Sequence, residues 1–384
     1  MSAGKIRAIY LLLYMGFAVW RVYYNVFLED IGFTGAQIGT LNALLLSTIF
    51  IVVPLWGYIA DKKGIRPTLK WLAWCTALLI FILGYIDTFW ALLFFIPLLS
   101  VFYHPLGPLT DALAIQFAQN DKKHSFGSFR LWGSLGWALA SVIGGMVFKR
   151  IAISYIFGVS ALFFLTLSPL LITHKRKKIY RPHFESFKIS GLLSNKPLFV
   201  FILILTFYGI VCSPVNSYLN LYFKELKAGN NIIGYAYAIM AFSELPFFIL
   251  GNRLLKTLGA RSVISIAMIV MVIRLMLYGF APGIAVSLAT GALQGISLSF
   301  FLVGAVDYLH KLTPAGRHAT SQSIIWTCYS GIGQMLGNLF IGPIMDKLGM
   351  VSVMKIFTVA ALFCFILTGL YFQMAKKQII SSKV

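Results

Sequence analysis

Apolar residues in this chain come in runs of twenty or so closed by short polar turns, not in the alternation of a half-buried strand or the single stripe of a water-facing helix. A helix crossing a bilayer needs about 20 such residues. The runs place spans over residues 7–28, 36–60, 68–87, 89–118, 126–148 and 151–173, then 197–223, 231–254, 262–281, 284–309, 319–341 and 351–374. The longest polar stretch separates the sixth run from the seventh and contains His174-Lys-Arg-Lys-Lys178. The expected organisation is all-α and integral to the membrane, with twelve transmembrane helices. A first six-helix bundle covers 1–173, a basic cytoplasmic linker 174–196, and a second six-helix bundle 197–384.

Composition agrees. Of 384 residues 59% are hydrophobic and 11% charged, where a water-soluble chain carries about 25% charged residues. A net charge of +21 would point a soluble protein toward nucleic acid. Its placement removes that reading. With the N-terminus inside, 23 Lys and Arg fall on inner segments and 6 on outer ones, a positive-inside bias that puts both termini in the cytoplasm. The cations then face anionic lipid at the cytoplasmic surface, and no nucleic-acid partner is expected. Cys75, Cys212, Cys328 and Cys364 all fall inside spans and read as small apolar residues, not as disulfides or zinc ligands. The first run is too long for a signal-peptide core and is expected to remain as the first span.

The halves resemble each other. Tyr24, Gly57, His124 and Trp132 each have an identical residue 194 positions later, at Tyr218, Gly251, His318 and Trp326. Four matches at one offset near half the chain length indicate a duplicated six-helix unit. Between spans two and three stands Gly57-Tyr-Ile-Ala-Asp61-Lys62-Lys-Gly64-Ile-Arg66, and its second-half copy keeps Gly251, Lys256, Gly259 and Arg261. This segment resembles the signature loop of the major facilitator superfamily, G-x-x-x-D-(R/K)-x-G-x-(R/K). The resemblance implies two parallel six-span repeats with solute bound near mid-membrane between them.

An ionisable group inside a span costs several kcal/mol unless paired or hydrated, which makes each one a functional candidate. The spans hold Arg21, His104, Asp111, Arg130, Glu244, Arg274 and Asp307. At ~1.5 Å per residue, Asp111 and Arg130 both sit about 10 Å to the cytoplasmic side of their span centres and can meet. Glu244 and Arg274 fall near the middles of spans eight and nine and offer a second pair. Either pair can be a structural salt bridge or a solute and proton site. His104 precedes Asp111 by two turns and shares its face, beside the helix-interrupting Pro105 and Pro108. It is either a cavity group or a packing histidine. Asp307, which the repeat matches to Asp111, is a coupling acid or an interfacial charge beside His310 and Lys311. Arg21, among Trp20, Tyr23 and Tyr24, is expected to snorkel to the outer interface.

Phe126-Gly-Ser-Phe-Arg130-Leu-Trp-Gly-Ser-Leu-Gly-Trp137 resembles span five of the oligosaccharide:proton symporter branch, which includes lactose permease, and is similar to the phenylpropionate and nucleoside permeases. The resemblance implies that Arg130, Trp137 and the acid of Pro108-Leu-Thr-Asp111 contact solute, the charged groups exchanging hydrogen bonds with hydroxyls and the indole packing on a sugar ring. It runs on through the Gly342-Pro-Ile-Met-Asp346-Lys-Leu-Gly349 turn. In span ten, however, Gln294 and Ser297 stand where lactose permease has its coupling histidine and glutamate. Spans seven and eleven lack that protein's charges, and Glu244 lies about a turn from its acid.

The expected function is that of a secondary active transporter in the cell membrane, a monomer importing a sugar or glycoside together with protons. The proton gradient supplies the energy, with no cofactor and no metal. Asp111, Arg130, Trp137, His104 and Arg274 form the expected substrate set, and Glu244 and Asp307 the expected proton set. Gly57, Asp61, Lys62, Gly64 and Arg66 form the conformational loop. Glu244 is expected to pair with Arg274 until protonated. The alternatives are a permease for an aromatic carboxylate or nucleoside, a drug efflux antiporter, and a transport-dead sensor. An enzyme is not expected, because no nucleophile or metal-ligand cluster accompanies His104.

Overall fold

A computed structural model describes residues 2–120, 126–172, 196–312 and 324–381. The 174–196 linker therefore lies almost wholly outside the described residues, as do His124 and His318 of the repeat. The described residues are helical, with no strand among them. Among them, 8 helical stretches are long and apolar enough to cross a membrane. Two long helical segments, Asn230–Phe280 and Gln334–Ser381, each contain two helices joined at a glycine with positive φ, Gly259 (φ 75) and Gly349 (φ 77). These breaks coincide with the expected turns between spans eight and nine and between eleven and twelve. Trp90 and Phe94 are 71% and 76% exposed, a surface that suits lipid and not water.

Chain contacts divide the molecule into two compact units. One lies within Met1–His183 together with Lys227–Phe242, the other within Phe184–Leu226 together with Ser243–Val384.

In the first unit, span one is built from Ala3–Arg21 and Tyr24–Asp30 and packs on Phe126–Val147 and Tyr155–Leu170. Span two starts at a capping box, in which Thr34 Oγ1 accepts from the Gln37 amide and Gln37 Oε1 accepts from the Thr34 amide. It breaks at Thr48 into Gly35–Ser47 and Ile49–Lys63. Span four breaks at His104–Pro105, between Phe89–Tyr103 and Leu106–Asn120. The two breaks are joined by side chains: Thr48 and Ser100 share a hydroxyl contact, and His104 Nε2 meets the Leu45 carbonyl. The start of Asn230–Phe280 packs on span five, where the Tyr23 hydroxyl donates to the Ser141 carbonyl at 2.6 Å and Asn230 Nδ2 donates to the Phe148 carbonyl at 3.0 Å.

In the second unit, Lys196–Glu225 packs along Gln334–Ser381 and Trp326–Gly333. Both units bring helix backbones together at glycine, as membrane helices do where small residues permit it. A Cβ at Gly136 would stand 2.3 Å from the Leu11 carbonyl, and one at Gly209 2.3 Å from the Tyr329 carbonyl. Spans ten and eleven each contain a π-helical segment, Gly295–Phe300 and Trp326–Gly333. Past Gly349, the Glu225 carboxylate accepts from the Met350 and Val351 amides and so caps the start of span twelve.

Candidate functional site

In the first unit, Asp111 and Arg130 meet. Arg130 Nη1 lies 3.7 Å from Asp111 Oδ1, and their side chains are 43% and 33% exposed. Two tyrosines from span one complete the group. The Tyr10 hydroxyl donates to Asp111 Oδ1 at 2.7 Å, and the Arg130 guanidinium lies over the Tyr14 ring at 4.6 Å. Tyr10 is fully buried in a cluster with Ile6, Ala114 and Phe129, which fixes its hydroxyl. Tyr10 and Tyr14, four residues apart, share one helix face and present a hydroxyl to the acid and a π-face to the base. Such a group can accept from and donate to solute hydroxyls, because both side chains are part-exposed.

Trp137, two turns beyond Arg130, is half-buried against Ala138, Ala238 and Ala241. His104 does not join this group; its Nε2 is engaged by the Leu45 carbonyl at the break in span two. Arg21 lies over the Trp20 ring at 5.5 Å and within electrostatic reach of Tyr24, Tyr103 and His104. The helix ends at Arg21 and turns there, which sets its guanidinium near Tyr103 and His104 of span four.

In the second unit, the expected Glu244–Arg274 ion pair is not formed. Arg274, 1% exposed, donates through Nη1 to Ser297 Oγ at 2.8 Å. Glu244 Oε1 accepts from Gln294 Nε2 at 3.4 Å. Gln294 and Ser297 stand three residues apart at the π-helical segment of span ten, so the wide turn hands one neutral partner to the acid and another to the base. Facing them are Tyr208 and Asn216 of span seven and Tyr329 of span eleven. The Tyr208 hydroxyl donates to the Ser297 carbonyl at 3.4 Å, Asn216 Nδ2 to the Tyr329 hydroxyl at 3.5 Å, and the Tyr208 and Tyr329 rings stack at 5.8 Å.

Asp307 stays apart from this group. Its carboxylate pairs with Lys311 at 2.6 Å, one turn along the same helix. It lines an open cleft of about 340 Å³ with Phe248, Asn252, Leu255 and His310 among others.

In the signature loop, Gly57, Asp61 and Lys62 lie in Ile49–Lys63, and Lys62 Nζ sits 4.3 Å above the Tyr58 ring. Gly64 turns the chain with φ 99, a conformation that a side chain resists, and Arg66 enters Ile65–Leu83. The second copy turns likewise at Gly259, and Arg261 Nη1 there donates to the Phe372 carbonyl at 3.3 Å.

Tyr10, Tyr14, Tyr208, Asn216 and Tyr329 were not among the residues expected from sequence. A signal was present: Tyr14 and Tyr208 are 194 positions apart, the offset of the repeat, and Tyr10/Tyr14 and Tyr208/Asn216 each recur at multiples of four.

The chain matches the model of the MFS_1 like family over residues 4–368. It is 28% identical over 355 residues to the uncharacterized transporter YwbF of Bacillus subtilis, covering 90% of this chain and 86% of that one. It is also 28% identical over 338 residues to the maltose permease of Geobacillus stearothermophilus, covering 86% and 84%. Among solved structures, a crystal structure of a mutant of nucleoside transporter NupG superposes with a TM-score of 0.87 at 18% identity, covering 96% of this chain and 99% of that one. That likeness shows the fold.

Proposed function

Since the chain belongs to the MFS_1 like family of major facilitator transporters, multi-pass membrane proteins and not enzymes, we propose that it imports a small polar solute of the sugar or glycoside class together with protons by alternating access. The observation that carries this reading is the Tyr10–Asp111–Arg130–Tyr14 group. Its acid and base stand 3.7 Å apart, are held in place by two tyrosines and remain part-exposed. An ion pair repays its desolvation as a structural element only where its geometry is close and its hydrogen bonds are complete. A solute hydroxyl inserted between these groups accepts from Arg130 and donates to Asp111, and a competitor lacking it strands both. Similarity to the maltose permease supports the solute class.

In this reading Asp111 and Arg130 hold the solute, Trp137 packs on its apolar face, and Glu244 carries the proton. The signature loop from Gly57 to Arg66 changes between conformations. His104 and Asp307, engaged by Leu45 and Lys311, serve as positioning groups. The membrane is the cell membrane, with both termini cytoplasmic, the protein a monomer and anionic lipid on the inner face; no cofactor takes part beyond the proton gradient.

The test is uptake into proteoliposomes across a panel of sugars, glycosides, nucleosides and aromatic acids, with and without an inward proton gradient. Gradient-driven accumulation of a sugar or glycoside is the expected result. Accumulation of nucleosides alone, or of nothing by folded protein, overturns the reading.

A further inference from the structure

Arg274 buries a positively charged guanidinium inside the second unit. Nη1 is engaged by Ser297 Oγ and by Met271 Sδ at 3.7 Å, both neutral. Nε and Nη2 are buried and, among the described residues, meet no well-aligned acceptor. Among the described residues no carboxylate stands at ion-pair distance from Arg274. The buried Tyr278 hydroxyl lies within hydrogen-bonding reach of the guanidinium, and its own proton finds no acceptor among the described residues.

A buried charge is costly unless it is paired and its hydrogen bonds are satisfied. Nε–H and Nη2–H share one edge of the guanidinium plane, the parallel pair of donors that fits the two oxygens of a carboxylate. Ser297 holds Nη1 and so fixes the plane while leaving that edge unused. Tyr278 adds a third donor next to it. A neutral hydroxyl can accept there but leaves the charge unbalanced, whereas a carboxylate accepts from all three donors and neutralises it.

We infer that the Nε/Nη2 edge of Arg274, with the Tyr278 hydroxyl, is a binding site for the carboxylate of an acidic solute. The inference deepens the transport function proposed above and rests on it, naming a sugar acid or acidic glycoside as the cargo. Access comes through the neighbouring turns. The π-helical segments Gly295–Phe300 and Trp326–Gly333 carry Ser297 and Tyr329, which close over Arg274 and Tyr208. Such wide turns occur mostly at functional sites, and one that reverts to α-helical pairing shifts its side chains along the span and uncovers the edge.

The experiment is equilibrium binding to detergent-purified protein, read by thermal shift and calorimetry. The probes are methyl β-D-glucuronide against methyl β-D-glucoside and D-glucuronate against D-glucose. The carboxylates are expected to bind more tightly than their neutral partners. Arg274→Lys, which keeps the charge but loses the paired edge, is expected to weaken carboxylate binding about tenfold, and Tyr278→Phe a few-fold. Arg274→Gln is expected to abolish the preference. Carboxylate and neutral probes binding alike, no carboxylate binding at all, or a preference that survives in Arg274→Lys and Tyr278→Phe overturns the inference. Binding needs no gradient, so the two readings fail separately. Protein that binds glucuronide through Arg274 but accumulates nothing keeps this site and loses proton coupling. Protein that accumulates a neutral sugar but binds no carboxylate keeps coupling and loses the site.

Discussion

The Tyr10 hydroxyl donates to Asp111 across 2.7 Å, from a ring that is fully buried. This bond ties the acid of span four to span one and orients the lone pairs it leaves for a ligand. Hydrogen bonds to a charged group contribute about 1.5–3 kcal/mol when buried, and the part-exposed setting of Asp111 puts this one at the lower end. Tyr10→Phe keeps the ring in its cluster and removes only the donor. It is expected to raise the KM for the transported solute by roughly tenfold or less with little change in the amount of folded protein. Uptake kinetics and a melting curve on the same preparation check this.

Arg130 combines a charge with a planar surface. Its guanidinium rests on the Tyr14 ring at 4.6 Å while one nitrogen faces Asp111 at 3.7 Å. Arg130→Lys retains the charge but loses the stacking plane and the forked donors. Transport is expected to fall by tenfold or more, whereas Tyr14→Leu, which removes only the π-face, should cost about 0.5–1 kcal/mol in solute affinity. Equal effects of the two substitutions in a competition assay would show that stacking alone positions the arginine.

Close helix approach gives a prediction about stability. A Cβ at Gly209 would stand 2.3 Å from the Tyr329 carbonyl, backbone against backbone, so no side-chain rotation relieves it. Gly209→Ala is expected to destabilise the second unit by about 1–3 kcal/mol, lowering the melting temperature in detergent. Gly107→Ala serves as control, because nothing lies within 4 Å of its Cβ position. Similar melting temperatures for the two variants would show that spans seven and eleven separate there more easily than the packing implies.

Much of the fold was legible because bilayer length and charge asymmetry act on whole segments. The turns at Gly64, Gly259 and Gly349 were marked by their glycines, and the break at His104 by Pro105. The break at Thr48 carries no such mark: no proline or glycine stands there, and the kink depends on Ser100 and His104 of another span. Among site residues, Asp111 and Arg130 were visible because charges are rare in apolar runs, and their depths matched. Depth also matched for Glu244 and Arg274, yet those two do not pair. Height along a span does not say which way a side chain faces, and the π-helical segment of span ten interposes Gln294 and Ser297. The tyrosines were hidden by number, since 18 of them occur in the chain and an i, i+4 pair looks like any helix face.

Glu244 gives the last prediction. Its Oε1 accepts from Gln294 Nε2 at 3.4 Å, a long bond to a neutral amide. A primary amide can donate to the carboxylate and accept from the carboxylic acid, so this partner suits either protonation state. If Glu244 carries the transported proton, Glu244→Gln fixes the site in a state resembling the protonated one. Counterflow, which needs no net proton movement, is expected to continue near the wild-type rate, while accumulation driven by an inward proton gradient is lost. Gln294→Leu removes the amide partner but keeps the acid, so accumulation should persist with a shifted dependence on pH. Measuring both modes in the same proteoliposomes separates the roles. Full accumulation by Glu244→Gln removes Glu244 from the proton path, and loss of counterflow as well assigns it to solute binding instead.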